Sequence, residues 1–106
     1  MAEFITPQEL RDLMAGDRKP CLLDVRRKAD YESSPAKIRE AGWNDPEKVD
    51  QWIDEIPKDK PVVLYCVKGG SVSQSISDRL EKTHPDVRFL EGGIKAWIAL
   101  GEEVAE

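Results

Sequence analysis

The sequence predicts an α/β domain, a mostly parallel sheet covered by helices on both faces. Three observations carry the prediction. Apolar runs at Phe4-Ile5, Cys21–Val25, Val62–Tyr65 and Val87–Leu90 alternate along the chain with segments of helical periodicity. The connections between them are short, as they are in successive strand-helix units. Val62–Tyr65 is apolar throughout, the pattern of a strand buried on both faces rather than one half open to water. No internal repeat or linker divides the 106 residues, and a single domain over residues 1–106 is expected.

The first strand, Phe4-Ile5, runs into Thr6-Pro7-Gln8-Glu9, which combines an N-cap, a proline at the first helical position and a capping-box glutamate. Leu10, Leu13 and Met14 share one face of the next helix, and Gly16 is placed to end it in a left-handed conformation. Cys21–Val25 is the second strand, its carboxyl end marked by Asp24 and Arg26. Asp30 to Ser34 fits a helical turn that Ser34-Pro35 breaks, and the stretch beyond it, with Ile38 as an apolar anchor, reads as irregular. Asp45-Pro46 opens a helix on which Val49, Trp52, Ile53 and Ile56 recur at helical spacing. After the central strand a helix begins near Ser71 to Ser73, with Val72, Ile76 and Leu80 on its inner face, and ends at His84-Pro85. His84 is read as a helix-end or surface residue. Val87–Leu90 is the last strand, Gly92-Gly93 a loop, and Ile94, Trp97 and Ile98 the apolar stripe of a closing helix that stops at Gly101.

With 40% hydrophobic and 35% charged residues, the composition is that of a globular protein. The net charge is −5 and the basic residues are scattered, which argues against a nucleic-acid surface. No apolar run is long enough to span a bilayer, and Glu3, Glu9, Arg11 and Asp12 interrupt the place of a signal peptide. A cytoplasmic protein with small ligands and no membrane partner is expected. Two cysteines, Cys21 and Cys66, and one histidine form neither a disulfide framework nor a zinc cluster, so no metal or other cofactor is expected.

Cys66 stands at the end of the central strand, ahead of Gly69-Gly70 and the next helix. Unpaired N–H groups of that first helical turn and of the glycine loop can point back at the sulfur and favour the thiolate, the nucleophilic form. The competing reading is a buried thiol that fills space. Parallel sheets bind ligands outside the carboxyl ends of their strands, which makes the loops at Cys66, Arg26 and Gly92-Gly93 candidates to converge. Their plainer readings are a solvated charge at Arg26 and an ordinary turn at the glycines.

The succession L-L-D-V-R, D-Y-E-S-S, V-V-L-Y-C-V-K-G-G and F-L-E-G-G-I-K-A-W, with the opening I-T-P-x-E-L, resembles the rhodanese family of single-domain sulfurtransferases over nearly the whole chain. The resemblance implies one rhodanese-like domain with a sheet of about five parallel strands. It also implies that Cys66 carries sulfur as a persulfide, taken from a small sulfur-containing anion such as thiosulfate or from a persulfide donor. A thiol, a protein sulfur acceptor or cyanide would then receive it. Carried over, the loop Val67, Lys68, Gly69, Gly70, Ser71 and Val72 and the side chain of Arg26 bind substrate, and Asp24 supports them. The family's loop usually reads C-R-x-G-x-R, whereas here the arginine positions hold Val67 and Ser71, in the form C-V-x-G-x-x-V-S. Lys68 is the loop's single cation. A phosphatase on this fold would need an arginine to grip phosphate, and the first one after Cys66 is Arg79, inside the helix. The alternative to an enzyme is a non-catalytic interaction or sulfur-relay module.

Overall fold

The computed structural model describes residues 3–17, 19–33, 36–67, 71–102 and 104–105, with the backbone alone at 71 and 105. The central apolar run forms strand β5 (Val62–Tyr65), whose four side chains are all shut off from solvent. It lies in the middle of a five-stranded parallel sheet in the order β1 (Glu3–Ile5), β6 (Val87–Leu90), β5, β2 (Cys21–Asp24), β4 (Gly42–Trp43). Cys21 stands opposite Val62 and Asp24 opposite Tyr65, so β2 and β5 end together.

Strand side chains alternate between the two faces, and this sorts the core into two layers. Leu22, Val63 and Tyr65 pack with Leu10 of helix α1 (Pro7–Ala15) and with Ile94 and Trp97 of α5 (Gly93–Ala99). Leu23, Val62, Leu64 and Val87 pack with Val49 and Trp52 of α3 (Val49–Trp52) and with Ile76 and Leu80 of α4 (Ser71–Glu81). Helix α2 (Lys28–Ser33) buries no residue. The capping box at Thr6 forms in both directions, Glu9 N–H to the Thr6 hydroxyl at 3.2 Å and Thr6 N–H to the Glu9 carboxylate at 3.0 Å.

The structure departs from the sequence reading at several points. The stretch read as irregular holds two strands, β3 (Lys37–Ile38) and β4; β4 is the fifth strand of the sheet, and β3 pairs antiparallel with β7 (Val104–Ala105). At two residues each they are too short to show periodicity. Ser34-Pro35, the expected break after α2, lies outside the described residues. The helix opened by Asp45-Pro46 is broken into a 3-10 turn (Pro46–Lys48), α3 and a second 3-10 turn (Ile53–Glu55). Gly16 does close α1, but in an extended conformation (φ −81°), its N–H bonding the Leu13 carbonyl at 3.2 Å in place of a left-handed cap. Gly93 is not in a loop: it is the first residue of α5, behind Gly92. Ile98 leaves the apolar stripe and is 48% exposed, because α5 meets the sheet through Ile94 and Trp97 alone. The helix expected to run to His84-Pro85 ends at Glu81, and His84, beyond the turn that follows, is buried, not on the surface: Nε2 lies 2.9 Å from the Ile56 carbonyl oxygen and Nδ1 2.8 Å from the Thr83 hydroxyl, so both ring nitrogens have partners.

Beyond Asp24 the chain makes a tight polar knot. Arg26 donates from Nε to both Asp24 oxygens at 3.0 Å and from Nη2 to Oδ2 at 2.7 Å, while its own backbone N–H bonds Oδ1 at 3.0 Å. Nη2 also reaches the Ala36 carbonyl at 3.1 Å. The guanidinium lies 5.3 Å from the centre of the Tyr31 ring, which stacks on Trp43, and Trp43 Nε1 donates to the Arg26 carbonyl at 2.9 Å. Burial alone would lower the Arg26 pKa, but bonding to the Asp24 carboxylate and its charge outweigh this and raise it, so the guanidinium keeps its charge. Arg26 is only 2% exposed and Asp24 fully buried, which sets aside the solvated-charge reading of Arg26.

Breaking a buried pair leaves an uncompensated charge, so Arg26→Ala is expected to cost about 3–5 kcal/mol. In a domain of this size that lowers the melting temperature by at least about 12 °C. Thermal and urea unfolding followed by circular dichroism read the change, and an unaltered midpoint would show that the pair contributes nothing to the fold.

Candidate active site

Cys66 comes directly after Tyr65, and strand alternation sends its side chain to the opposite face, toward α4. The thiol is 6% exposed and its Sγ lies 3.3 Å from the Ser73 hydroxyl. A thiol can donate to that oxygen, and a thiolate can accept from the same hydroxyl after a rotation about its C–O bond. One serine therefore serves both protonation states of the sulfur. Ser73 and Ser77, one helical turn apart, are fully buried beside Ile76 and Leu80, so the inner face of α4 is partly polar next to the sulfur. Ser77 Oγ has no hydrogen-bond partner among the described residues.

The backbone on either side of the sulfur is held by α5. Ile94 N–H donates to the Cys66 carbonyl at 3.0 Å and Lys95 N–H to the Val67 carbonyl at 3.2 Å, which satisfies two N–H groups of the first helical turn. The approach is so close that a Cβ on Gly93 would fall 2.4 Å from the Cys66 carbonyl oxygen and 2.6 Å from the Val67 carbonyl. Gly93 also has a φ of +60°. Both the space and the backbone angle restrict this position to glycine.

The loop after β2 joins from the other side, since Val25 N–H bonds the Tyr65 carbonyl at 2.9 Å, one residue before Cys66. Burial pushes the Tyr65 hydroxyl far above its ordinary pKa, the Asp24 carboxylate adds to this, and the Ile38 N–H that donates to its oxygen at 3.2 Å only partly opposes it. Tyr65 is thus a neutral structural hydroxyl. Beside the α4 wall opens a cleft of about 510 Å³ lined by Arg27, Pro46, Glu47, Val72, Ser75 and Ile76.

Of the residues singled out in the sequence, Cys66, Val67 and Gly93 are brought into direct contact. Asp24 and Arg26 lie at the same sheet edge as an ion pair, and Val72, expected on the inner face of its helix, is half-buried on the wall of the cleft. Lys68, Gly69 and Gly70 lie outside the described residues, as does the side chain of Ser71. Ser73 was not among the expected site residues; the available signal was a small hydroxyl residue on the first turn of the helix after the cysteine. Cys21 sits at the opposite end of the strands, half-buried, where burial raises its thiol pKa and Lys60 partly counters this. Among the described residues no group of three or more His, Cys, Asp or Glu is placed to hold a metal ion, and no helix is long and apolar enough to cross a membrane.

The model of the rhodanese-like domain matches residues 6–100. A sulfurtransferase of Allochromatium vinosum is 30% identical over 101 residues, spanning 95% of this chain and 92% of that protein. The probable adenylyltransferase/sulfurtransferase MoeZ of Mycobacterium tuberculosis is 29% identical over 88% of this chain, which spans only 24% of MoeZ. Among solved structures, a thiosulfate sulfurtransferase from Pseudomonas aeruginosa superposes with a TM-score of 0.83 at 22% identity, covering 100% of this chain and 20% of that one, a likeness of fold. The strand-end cysteine, the glycine-gated approach of the last helix and these matches together establish that the chain belongs to the rhodanese-like domain family.

Proposed function

We propose that the chain is a sulfurtransferase in which Cys66 accepts a sulfane sulfur and passes it to a thiol or protein acceptor. The observation that carries this reading is the placement of Cys66, a near-buried sulfur 3.3 Å from the Ser73 hydroxyl, with its backbone carbonyl bonded by α5. A family role in sulfur transfer supports it. In the first half-reaction the Cys66 thiolate attacks the outer sulfur of the donor and forms a new S–S bond. The donor's own bond to that sulfur breaks, and its electron pair leaves with sulfite or a thiolate. In the second, an acceptor thiolate attacks the outer sulfur of the Cys66 persulfide, and Cys66 departs as thiolate. No general base is required when the thiolate is already formed, and Ser73 can donate to the anionic sulfur throughout.

In this reading residues 67–72 bind the substrate, and Arg26 supports the sheet edge through its pair with Asp24 rather than holding substrate, because its described donors are spent within the fold. A reducing cytoplasmic setting suits two free thiols. Val67 and Ser71, where the family's loop carries arginine, favour a persulfide or protein donor over thiosulfate, and with it the sulfur-relay form of the same chemistry. Phosphatase chemistry is disfavoured because Arg79, the first arginine beyond Cys66, is exposed on α4 and ion-paired with Asp50.

Intact-protein mass spectrometry after incubation with thiosulfate or a low-molecular-weight persulfide is expected to show one added sulfur that a reductant removes. Cys66→Ser should abolish the addition and Cys21→Ser should retain it; sulfur mapped to Cys21 would overturn the assignment. A second pair of variants tests the backbone approach. Gly93→Ala combines left-handed strain with a steric clash and should lose at least about 1–3 kcal/mol of stability and slow loading of Cys66 roughly tenfold. Gly101→Ala, with φ +88° and open space around it, carries the strain alone and should leave loading unchanged. Equal loading rates in both would show that the α5 approach does not govern the site.

A further inference from the structure

Arg26 and Arg27 are neighbours with opposite fates. Arg26 is drawn into the sheet edge by Asp24, and Arg27 is exposed and turned to the cleft beside α4. Glu47 enters the same cleft from beyond β4, on a 3-10 turn whose N-cap Asp45 accepts the Glu47 N–H at 3.0 Å. Since β2 and β4 are adjacent and parallel, their carboxyl ends bring this cation and this anion to one edge of the sheet. Neither side chain has a hydrogen-bond or ion-pair partner among the described residues. The third wall is α4, through Val72, Ser75 and Ile76. Val72 directly precedes Ser73, whose hydroxyl lies 3.3 Å from the Cys66 sulfur. A cleft of about 510 Å³, with one unpaired charge of each sign and a mixed wall on the helix that presents Ser73 to the sulfur, suits a small molecule carrying both charges.

We infer that this cleft binds the sulfur donor as a small zwitterionic persulfide, an amino-acid or short-peptide hydropersulfide whose carboxylate pairs with Arg27 and whose ammonium pairs with Glu47. The inference rests on the sulfur-transfer reading of Cys66 and names its donor class. In the step it serves, the Cys66 thiolate attacks the terminal sulfur of R–S–SH, a new S–S bond forms and the donor's own S–S bond breaks. The electron pair leaves with R–S⁻, and the proton of the hydropersulfide stays with the products, a thiol and the Cys66 persulfide. Glu47 also gives the cleft discrimination: a thiosulfate dianion brings no ammonium and meets an unpaired carboxylate.

The test measures the second-order rate of sulfur loading on Cys66 by intact-protein mass spectrometry, with three donors of different charge. They are cysteine hydropersulfide (both charges), 3-mercaptopropionate hydropersulfide (carboxylate only) and thiosulfate. Arg27→Gln and Glu47→Gln alter exposed side chains, and circular dichroism confirms an unchanged fold. Arg27→Gln is expected to slow both carboxylate donors roughly three- to tenfold. Glu47→Gln should slow cysteine hydropersulfide about threefold, leave 3-mercaptopropionate hydropersulfide no slower and speed thiosulfate. If the wild type loads from all three and neither substitution changes the order or rates, the cleft assignment fails and the sulfur-transfer reading stands. If no donor places sulfur on Cys66 of the wild type, the sulfur-transfer reading fails and the cleft assignment falls with it.

Discussion

The buried ion pair of Asp24 and Arg26 is the constraint on which the sheet's carboxyl edge depends. A carboxylate shut away from water must be met by donors, and here one arginine side chain and one backbone N–H supply them within two residues. Arg26 in turn organises the segment from α2 to β4: its Nη2 bonds Ala36, its face lies against Tyr31, and its carbonyl takes the Trp43 indole N–H. Helix α2 buries nothing of its own, and β4 is two residues long. Neither would be positioned by apolar burial alone; β4 is held by its backbone pairing with β2, and polar and aromatic contacts to Arg26 tie the segment from α2 to β4 to the same edge.

The same knot settles where the neighbouring charges go. With Arg26 turned inward to Asp24, Arg27 is left facing the cleft, and β4 carries Pro46 and Glu47 to its other side. The cleft between α4 and the β2 and β4 ends is therefore a consequence of the ion pair as much as of the helices around it.

The sulfur itself is located by three elements at once. Strand β5 delivers Cys66, α5 holds the carbonyls of Cys66 and Val67, and α4 presents Ser73 to Sγ. Precision here comes from backbone contact, which is stiffer than side-chain packing and has a strict entry condition. Gly93 has no room for a Cβ, and Gly92 adopts a left-handed conformation to start the helix in that place. A pocket shaped by mobile side chains would tolerate many residues at position 93; a carbonyl at 2.4 Å from the ideal Cβ tolerates one.

Sequence by itself determined the elements whose cause is local. The capping box at Thr6, the alternating strands, the all-apolar centre at Val62–Tyr65 and the cysteine at its end arise from spacing and turn chemistry within a few residues, and each is found in the fold. The family resemblance, carried by motifs strung along the whole chain, supplied the fifth strand that periodicity could not show in two residues. What only the tertiary structure decided depends on partners far apart in the chain. Arg26 is buried because its own hydrogen-bonding partners and the rings of Tyr31 and Trp43 close around it. His84 is buried because Ile56 offers a carbonyl, and Ile98 is exposed because α5 has no further surface to meet. Ser73 becomes a neighbour of the sulfur only when α4 settles on the sheet, and the cleft charges Arg27 and Glu47 meet only across adjacent strands. Local patterns set which segments can form; the burial of a polar group is decided by the donors and acceptors that the folded chain brings to it.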